Sequence, residues 1–157
     1  CKEDIRFRYL FHSNRKQAMT KNSGILAASG VFVTFLDSDD EYAPEHLAMR
    51  QKVLFQNPQV ELLHGGVKVV GEEFVPDLNN INKKINLVDC IIGGSFFIQK
   101  YSAMEIGGFP DIDYGDDKKF FDIALENELV IAKIDYPTYI YHRDRSDSIC
   151  NTIGFRK

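Results

Sequence analysis

Apolar residues recur along the chain in short blocks that alternate between strand-like and helix-like spacing. Ile5 to Phe11 is a short β-type run, and Arg15 to Ser29 reads as a helix. Within that helix Ala18, Asn22, Ile25 and Leu26 share one face, and Gly30 supplies a stop. Val31 to Asp40 (VFVTFLDSDD) has the length and composition of a buried strand and stops abruptly in Asp37, Asp39 and Asp40. Pro44 opens a further helix that runs to about Phe55 and is ended by Asn57-Pro58. Val60 to His64 and Val67 to Val70 read as strands around Gly65-Gly66. Asp77 to Asn86 (DLNNINKKIN) reads as a flexible loop. Cys90 to Gln99 is another apolar run, broken by Gly93-Gly94. A short helix through Met104 ends at Gly107-Gly108, and a longer one spans Asp116 to about Asn127. Strands at Val130 to Ile134 and through Tyr139 to Tyr141 complete the pattern. Alternating strands and helices predict an α/β sheet flanked by helices.

The three aspartates matter because ligands of open α/β sheets bind beyond the carboxyl ends of strands. Carboxylates ~4 Å apart repel by about 1 kcal/mol per pair in water and about 4 kcal/mol near a protein surface. A divalent cation removes that cost, and Mg²⁺ or Mn²⁺ prefers oxygen ligands. The plainer alternative is a solvated acidic turn. A calcium loop of the EF-hand type starting at Asp37 is excluded, because Tyr42 and Ala48 stand where Gly and Glu are needed. A phosphatase-type strand-then-acid motif is disfavoured by Glu41 and Tyr42, where small residues and Thr are usual.

Composition narrows the classes. The 157 residues suffice for one domain with a core, and 44% hydrophobic with 27% charged residues is ordinary for a globular chain. A net charge of −4 gives no support to a nucleic-acid partner. The basic cluster Arg6, Arg8, Arg15, Lys16 and Lys21 reads as a solvated face with one or two members available to a diphosphate. Cys1, Cys90 and Cys150 are widely spaced and odd in number, which favours reduced thiols in a cytosolic setting. No stretch has the roughly 18 apolar residues of a membrane span.

A second acidic site lies at Gly115, Asp116 and Asp117. Counting from Asp117, Phe120, Phe121, Ala124 and Leu125 fall at i+3, i+4, i+7 and i+8. The same offsets from Asp116 give Lys119, Phe120, Ile123 and Ala124, a more mixed face. The pattern predicts that Asp117 heads the inward stripe. An Asp in a first helical turn is also favoured by the helix dipole alone.

These pieces stand in a telling order: KNSGILAASGVFVTFLDSDDEYAPEHL, a GGSFFIQ strand, IGGFPDIDYGDDKKFFDIALEN, and YHRDRSDSI. The series resembles the family 2 glycosyltransferases of the GT-A fold, over nearly the whole chain. The resemblance implies a Rossmann-like, mixed and mainly parallel sheet flanked by helices. It implies a metal-dependent enzyme that moves a sugar from a nucleotide-diphospho-sugar, most simply a UDP-sugar, to a saccharide or lipid-linked acceptor with inversion. Asp37, Asp39 and Asp40 match the D-x-D-D element, the site of Mg²⁺ or Mn²⁺ and of the donor's diphosphate, with His142 a candidate to complete the metal shell. Asn22 and Lys21 match helix residues near the donor, Lys21 standing where Arg is usual. Gly93, Gly94 and Ser95 resemble the lining of the sugar pocket. Asp117 matches the catalytic base and Asp116 its acidic partner, where Glu is usual. Tyr141, His142 and Ser148 fall in the variable C-terminal signature. The family's first strands and their nucleobase-binding Asp have no match here, so the resemblance implies a single, N-terminally truncated domain over residues 1–157. A homo-oligomer, and a cytoplasmic protein held peripherally at the inner face of a membrane, are further expectations. The competing readings are a non-catalytic remnant that binds sugar or a partner protein, and a nucleotidyltransferase, which would want a Gly-rich, basic N-terminal loop.

Overall fold

The computed structural model describes residues 4–78, 80 and 82–144; Cys1, Cys150 and Ser148 lie outside them. Helix α1 (Lys16–Ala27) is followed by β1 (Phe32–Thr34), β2 (Glu41–Tyr42), α2 (His46–Gln56) and β3 (Leu62–Gly71). Then come β4 (Phe74–Pro76), β5 (Lys84–Asn86), β6 (Phe97–Gln99), α3 (Lys100–Glu105), α4 (Asp116–Glu126) and β7 (Ile131–Arg143). The main sheet has the order β1-β6-β3-β7-β2, and β4 pairs with β5 in a separate hairpin.

Period-2 alternation builds three layers. Leu62 and Ile98 face a core shared with Ala18 and Ile25 of α1, Ala103 of α3, and Phe120 and Ala124 of α4. Their chain neighbours Leu63 and Phe97 face the opposite way, against Leu54 of α2 and Ile134 of β7. Helices therefore cover both faces of the sheet, as an α/β arrangement requires. The C-terminal carbonyls of α1 are closed by cations: Lys100 donates to Leu26 and Ala28, and Arg8 to Ala27. That placement suits the negative end of the helix dipole.

The mixed α/β expectation is met, with adjustments. The parallel character is confined to the long β3–β7 ladder; β1–β6, β3–β6 and β2–β7 are antiparallel. The two strands read on either side of Gly65-Gly66 are one strand, and so are the two read after Val130. Their ladder jumps from Gly65 opposite Ile134 to Val67 opposite Tyr139, a wide bulge on β7. Gly66 permits it: its φ is 67°, and a Cβ there would lie 2.0 Å from the Tyr136 carbonyl oxygen. Arg50 of α2, wholly buried, ties the bulge down by donating to Gly65 O at 2.7 Å and Thr138 Oγ1 at 2.6 Å.

Other elements depart from the pattern. Ile5 to Phe11 forms no strand; its large apolar side chains are exposed, with no neighbouring strand among the described residues to cover them. Leu26 is exposed rather than inward, while Lys21 is buried rather than part of a solvated basic face. The strand before the three aspartates is short, with Val31 and Leu36 both exposed. The stretch read as a flexible loop carries strand β5.

Strand β1 lies at one edge of the main sheet and β2 at the other, yet only residues 35–40 join them. The sheet curls to make this possible. Tyr42 Oη of β2 lies 2.9 Å from Thr34 Oγ1 and donates to Phe35 O at 2.7 Å. The acidic loop is thus strung across the open side of a curled sheet.

Candidate functional site

Three further elements converge on that loop. Helix α1 supplies Gln17 and Lys21, the β1–β2 loop supplies Asp37 and Asp39, and a tight turn supplies Gly93 and Gly94. The first turn of α4 supplies Asp116 and Asp117, after Gly115 in a left-handed conformation. Asp37, Asp39, Asp116 and Asp117 line one cavity of about 570 Å³. A second and more open hollow, about 750 Å³, runs between α1 and β1. Gln17 and Asp37 belong to both, and the Gln17 amide donates to Asp37 Oδ2 at 3.1 Å where the two meet.

The acidic pair is held from two directions. Lys21 Nζ lies 2.6 Å from Asp117 Oδ1 and 3.4 Å from Asp116 Oδ2. The Gly93 N–H donates to Asp117 Oδ2 at 2.8 Å. Burial pushes the carboxyl pKa of Asp116 up, and the neighbouring Asp117 charge adds to it. Burial likewise raises Asp37, against the opposing pull of Lys21. Burial alone would favour a neutral Lys21, but Asp117, Asp116 and Asp37 together outweigh it and hold the ammonium above its usual range.

The inward stripe on α4 is headed by Asp116, not Asp117: Asp116, Phe120 and Ala124 are buried, whereas Leu125 is exposed. The offsets from Asp117 misled because Phe121 sits on the shoulder of the stripe, against His64. Asp117 occupies the same shoulder, its side chain about a quarter exposed (26%) to the cavity.

Several expected site residues do other work. Asn22 brackets the GGF turn, donating to Phe109 O and accepting from Phe109 N–H, each at 2.8 Å. Ser95 is buried, with its hydroxyl between Ile92 O and Gly65 N–H. Asp40 faces away from the cavity: Tyr139 Oη donates to one oxygen at 2.5 Å and the His142 backbone N–H to the other at 2.9 Å. The His142 ring lies instead 3.4 Å from Glu41. Among the described residues no group of three or more His, Cys, Asp and Glu side chains is arranged to hold a metal ion. The four-residue ligand set is therefore not assembled: Asp40 is committed to Tyr139 and the His142 backbone, while the His142 ring is turned toward Glu41 with its buried Nε2 making no hydrogen bond among the described residues. Asp37 and Asp39 remain, both lining the cavity. Two hard carboxylates fit Mg²⁺ or Mn²⁺, which commonly take one or two carboxylates and complete their shell with waters and substrate phosphate.

Sequence reasoning missed Gln17 and the hairpin wall of the cavity. Val75, Pro76, Leu78 and Ile85 of the β4–β5 hairpin, with Leu87 just after it, line the same cavity as the acids. The signal was weak: only Phe74, Val75 and Ile85 of the two triplets are strand formers, and Pro76, Lys84 and Asn86 argue against a strand.

Residues 1–107 match the profile described as Glycosyl transferase family 2. The chain is 31% identical over 166 residues to the GalNAc(5)-diNAcBac-PP-undecaprenol beta-1,3-glucosyltransferase of Campylobacter jejuni, covering 99% of this chain and 52% of that protein. It is 29% identical over 121 residues to an uncharacterized glycosyltransferase of Haemophilus influenzae, covering 73% of this chain and 47% of that one. The chain thus spans about half the length of these relatives. Among solved structures, S. aureus TarS 1-349 in complex with UDP-GlcNAc superposes with a TM-score of 0.65 at 19% identity, over 85% of this chain and 40% of that one. That likeness shows a shared fold.

Proposed function

This chain belongs to glycosyl transferase family 2, and on that footing we propose that it moves a sugar from a UDP-sugar to a hydroxyl of a lipid-linked saccharide. The observation that carries the proposal is the meeting of two acidic elements distant in sequence, Asp37 with Asp39 and Asp116 with Asp117, on one cavity. The two hollows joined at Asp37 and Gln17 suit an elongated donor, its nucleotide along α1 and β1 and its sugar toward α4. The UDP-GlcNAc held by TarS supports the donor class, and the undecaprenol-linked name of the Campylobacter relative supports the acceptor class. Among the described residues no helix is long and apolar enough to cross a membrane; a lipid-linked acceptor would bring the protein to a membrane surface.

In this reading Asp117 takes the proton of the acceptor hydroxyl. The hydroxyl oxygen forms a bond to the anomeric carbon as the bond from that carbon to the diphosphate oxygen breaks. The nucleoside diphosphate leaves, and direct attack inverts the anomeric configuration. Asp37 and Asp39 would hold Mg²⁺ or Mn²⁺, which when bound supplies neutralisation of the diphosphate charge. Asp116 and Lys21 keep the base in place, and the hairpin wall excludes water from the sugar side.

The test uses the natural full-length chain that carries these residues. Transfer of labelled sugar from UDP-sugars to a polyprenyl-diphosphate-linked saccharide is measured beside UDP affinity by calorimetry, with and without Mn²⁺. The proposal expects transfer, and UDP binding that Asp39→Asn weakens by about tenfold or more only when Mn²⁺ is present. UDP binding without transfer to any acceptor would favour the scaffold reading. Affinity equal in Asp39→Asn and wild type would remove the metal role.

A further inference from the structure

Lys21 is 7% exposed and sits where a phosphate ligand was expected, yet its ammonium points at the acidic pair. An ammonium has three N–H donors. One is aimed at Asp117 Oδ1 and one at Asp116 Oδ2, and Nζ lies 4.8 Å from the centre of the Phe109 ring, within cation–π range. Lys21 also lines the more open hollow between α1 and β1, but its ammonium is turned to the acids and not into that hollow.

The two oxygens of Asp117 have separate anchors, Lys21 on Oδ1 and the Gly93 N–H on Oδ2. Such a two-point grip fixes both torsions of a short side chain. The gripped carboxylate still lines the cavity, its side chain about a quarter exposed. Asp116 completes the device from behind. Buried on the core side of α4, it pulls Lys21 into register, so that a flexible four-carbon stem delivers its charge to one place.

We propose that Lys21 is a positioning residue, whose ion pair with Asp117 sets the orientation of that carboxylate toward the acceptor hydroxyl. This rests on the glycosyltransferase reading above and assigns Lys21 to the acceptor side of the reaction rather than to the donor. A side chain that binds donor phosphate and one that orients the base differ in what their loss changes. The first raises donor Kd; the second lowers kcat and leaves donor Kd alone.

The experiment compares Lys21→Met and Lys21→Arg with wild type in the natural full-length chain, measuring kcat, acceptor KM and, by calorimetry, Kd for UDP. Lys21→Met is expected to lower kcat by about 10²-fold, the scale of a misplaced reacting group, with Kd for UDP within about twofold of wild type. Lys21→Arg keeps the charge and is expected to recover most of kcat. If Lys21→Met fails to fold, Lys21→Met/Asp116→Asn removes the stranded buried acid, and its kcat is compared with that of Asp116→Asn alone, against which the same loss is expected. A wild-type kcat in Lys21→Met, or a double variant as fast as Asp116→Asn, overturns the proposal. So does a loss of UDP affinity matching the loss in kcat/KM, or an Arg variant as impaired as the Met variant. A wild-type chain that transfers no sugar overturns the parent reading instead, and this one with it.

Discussion

Replacing Gly93 with alanine adds one methyl group at the most crowded point of the site. Gly93 lies outside the left-handed region, so alanine meets no backbone penalty there. The obstacle is steric: the new Cβ would lie 2.1 Å from Asp117 Oδ1 and 2.4 Å from its Cγ. Ordinary van der Waals contact begins at 3.4 Å, so the carboxylate must retreat by more than an ångström. That retreat breaks the 2.8 Å bond from Gly93 N–H and pulls Asp117 out of its 2.6 Å contact with Lys21. A catalytic group displaced by ~1 Å loses about 10²-fold in rate, or about 2.7 kcal/mol of transition-state stabilisation. Gly93→Ala should therefore lower kcat by about two orders of magnitude while donor Kd changes little. Gly94→Ala is the control. Its Cβ would lie 2.0 Å from Tyr139 Oη in the core, so its cost should appear as about 1–3 kcal/mol of lost stability. Initial rates at saturating substrates, donor calorimetry and thermal melts separate the two effects. A Gly93→Ala enzyme with wild-type kcat would refute the assignment of Asp117 as the base.

Asp117→Asn should abolish turnover with donor binding intact, and Asp116→Asn should be milder, because Lys21 makes its shorter contact with Asp117; reversed kcat losses would reassign the base. Asp40→Ala should cost about 2–3 kcal/mol of stability, read in urea melts, since Tyr139 and the His142 backbone both lose their acceptor. A fully stable Asp40→Ala that no longer binds metal would return Asp40 to the ligand set. For Asp37 the sign follows from its raised carboxyl pKa: the native state holds the proton more tightly than the unfolded chain. Its stabilising contribution is therefore present below the unfolded value of 3.8 and is lost as pH rises through the native value. Asp37→Asn should raise Tm at neutral pH, with the advantage over wild type shrinking to nothing below pH 3.8, while donor binding weakens. A Tm difference that stays flat with pH would refute the buried-charge account.

The elements legible in the sequence were those whose signals are local. Pro44 and Asn57-Pro58 bracket α2, and Gly107-Gly108 closes α3, because breakers act on their own backbone. The two acidic motifs were found for the same reason: each is contiguous. What failed depended on distant partners. Ile5 to Phe11 has strand composition, but composition does not supply a neighbouring strand. Whether Asp40 faces metal or core is decided by Tyr139, about a hundred residues away and re-aimed by the β7 bulge. Asn22 and Ser95 were read as donor-site residues, but their hydrogen-bond partners Phe109 and Gly65 are visible only in three dimensions. Lys21 shares a buried helix face with Ala18 and Ile25, yet an apolar count along the helix has no place for a lysine.

The six residues 35–40 that join the two edges of the main sheet have a mechanical meaning. A chain of that length reaches at most about 20 Å when fully drawn out, so the loop behaves as a bowstring and the sheet as the bow. Asp37 and Asp39 ride on the string, and their spacing from Asp116 and Asp117 is fixed by how far the bow is bent. A fluctuation that flattens the sheet must tug these acids out of line, and a ligand gripping them must hold the arch closed. Donor binding should then slow amide exchange at the Tyr42–Tyr139 and Phe32–Gln99 pairings, the two tips of the bow, even where no ligand touches them.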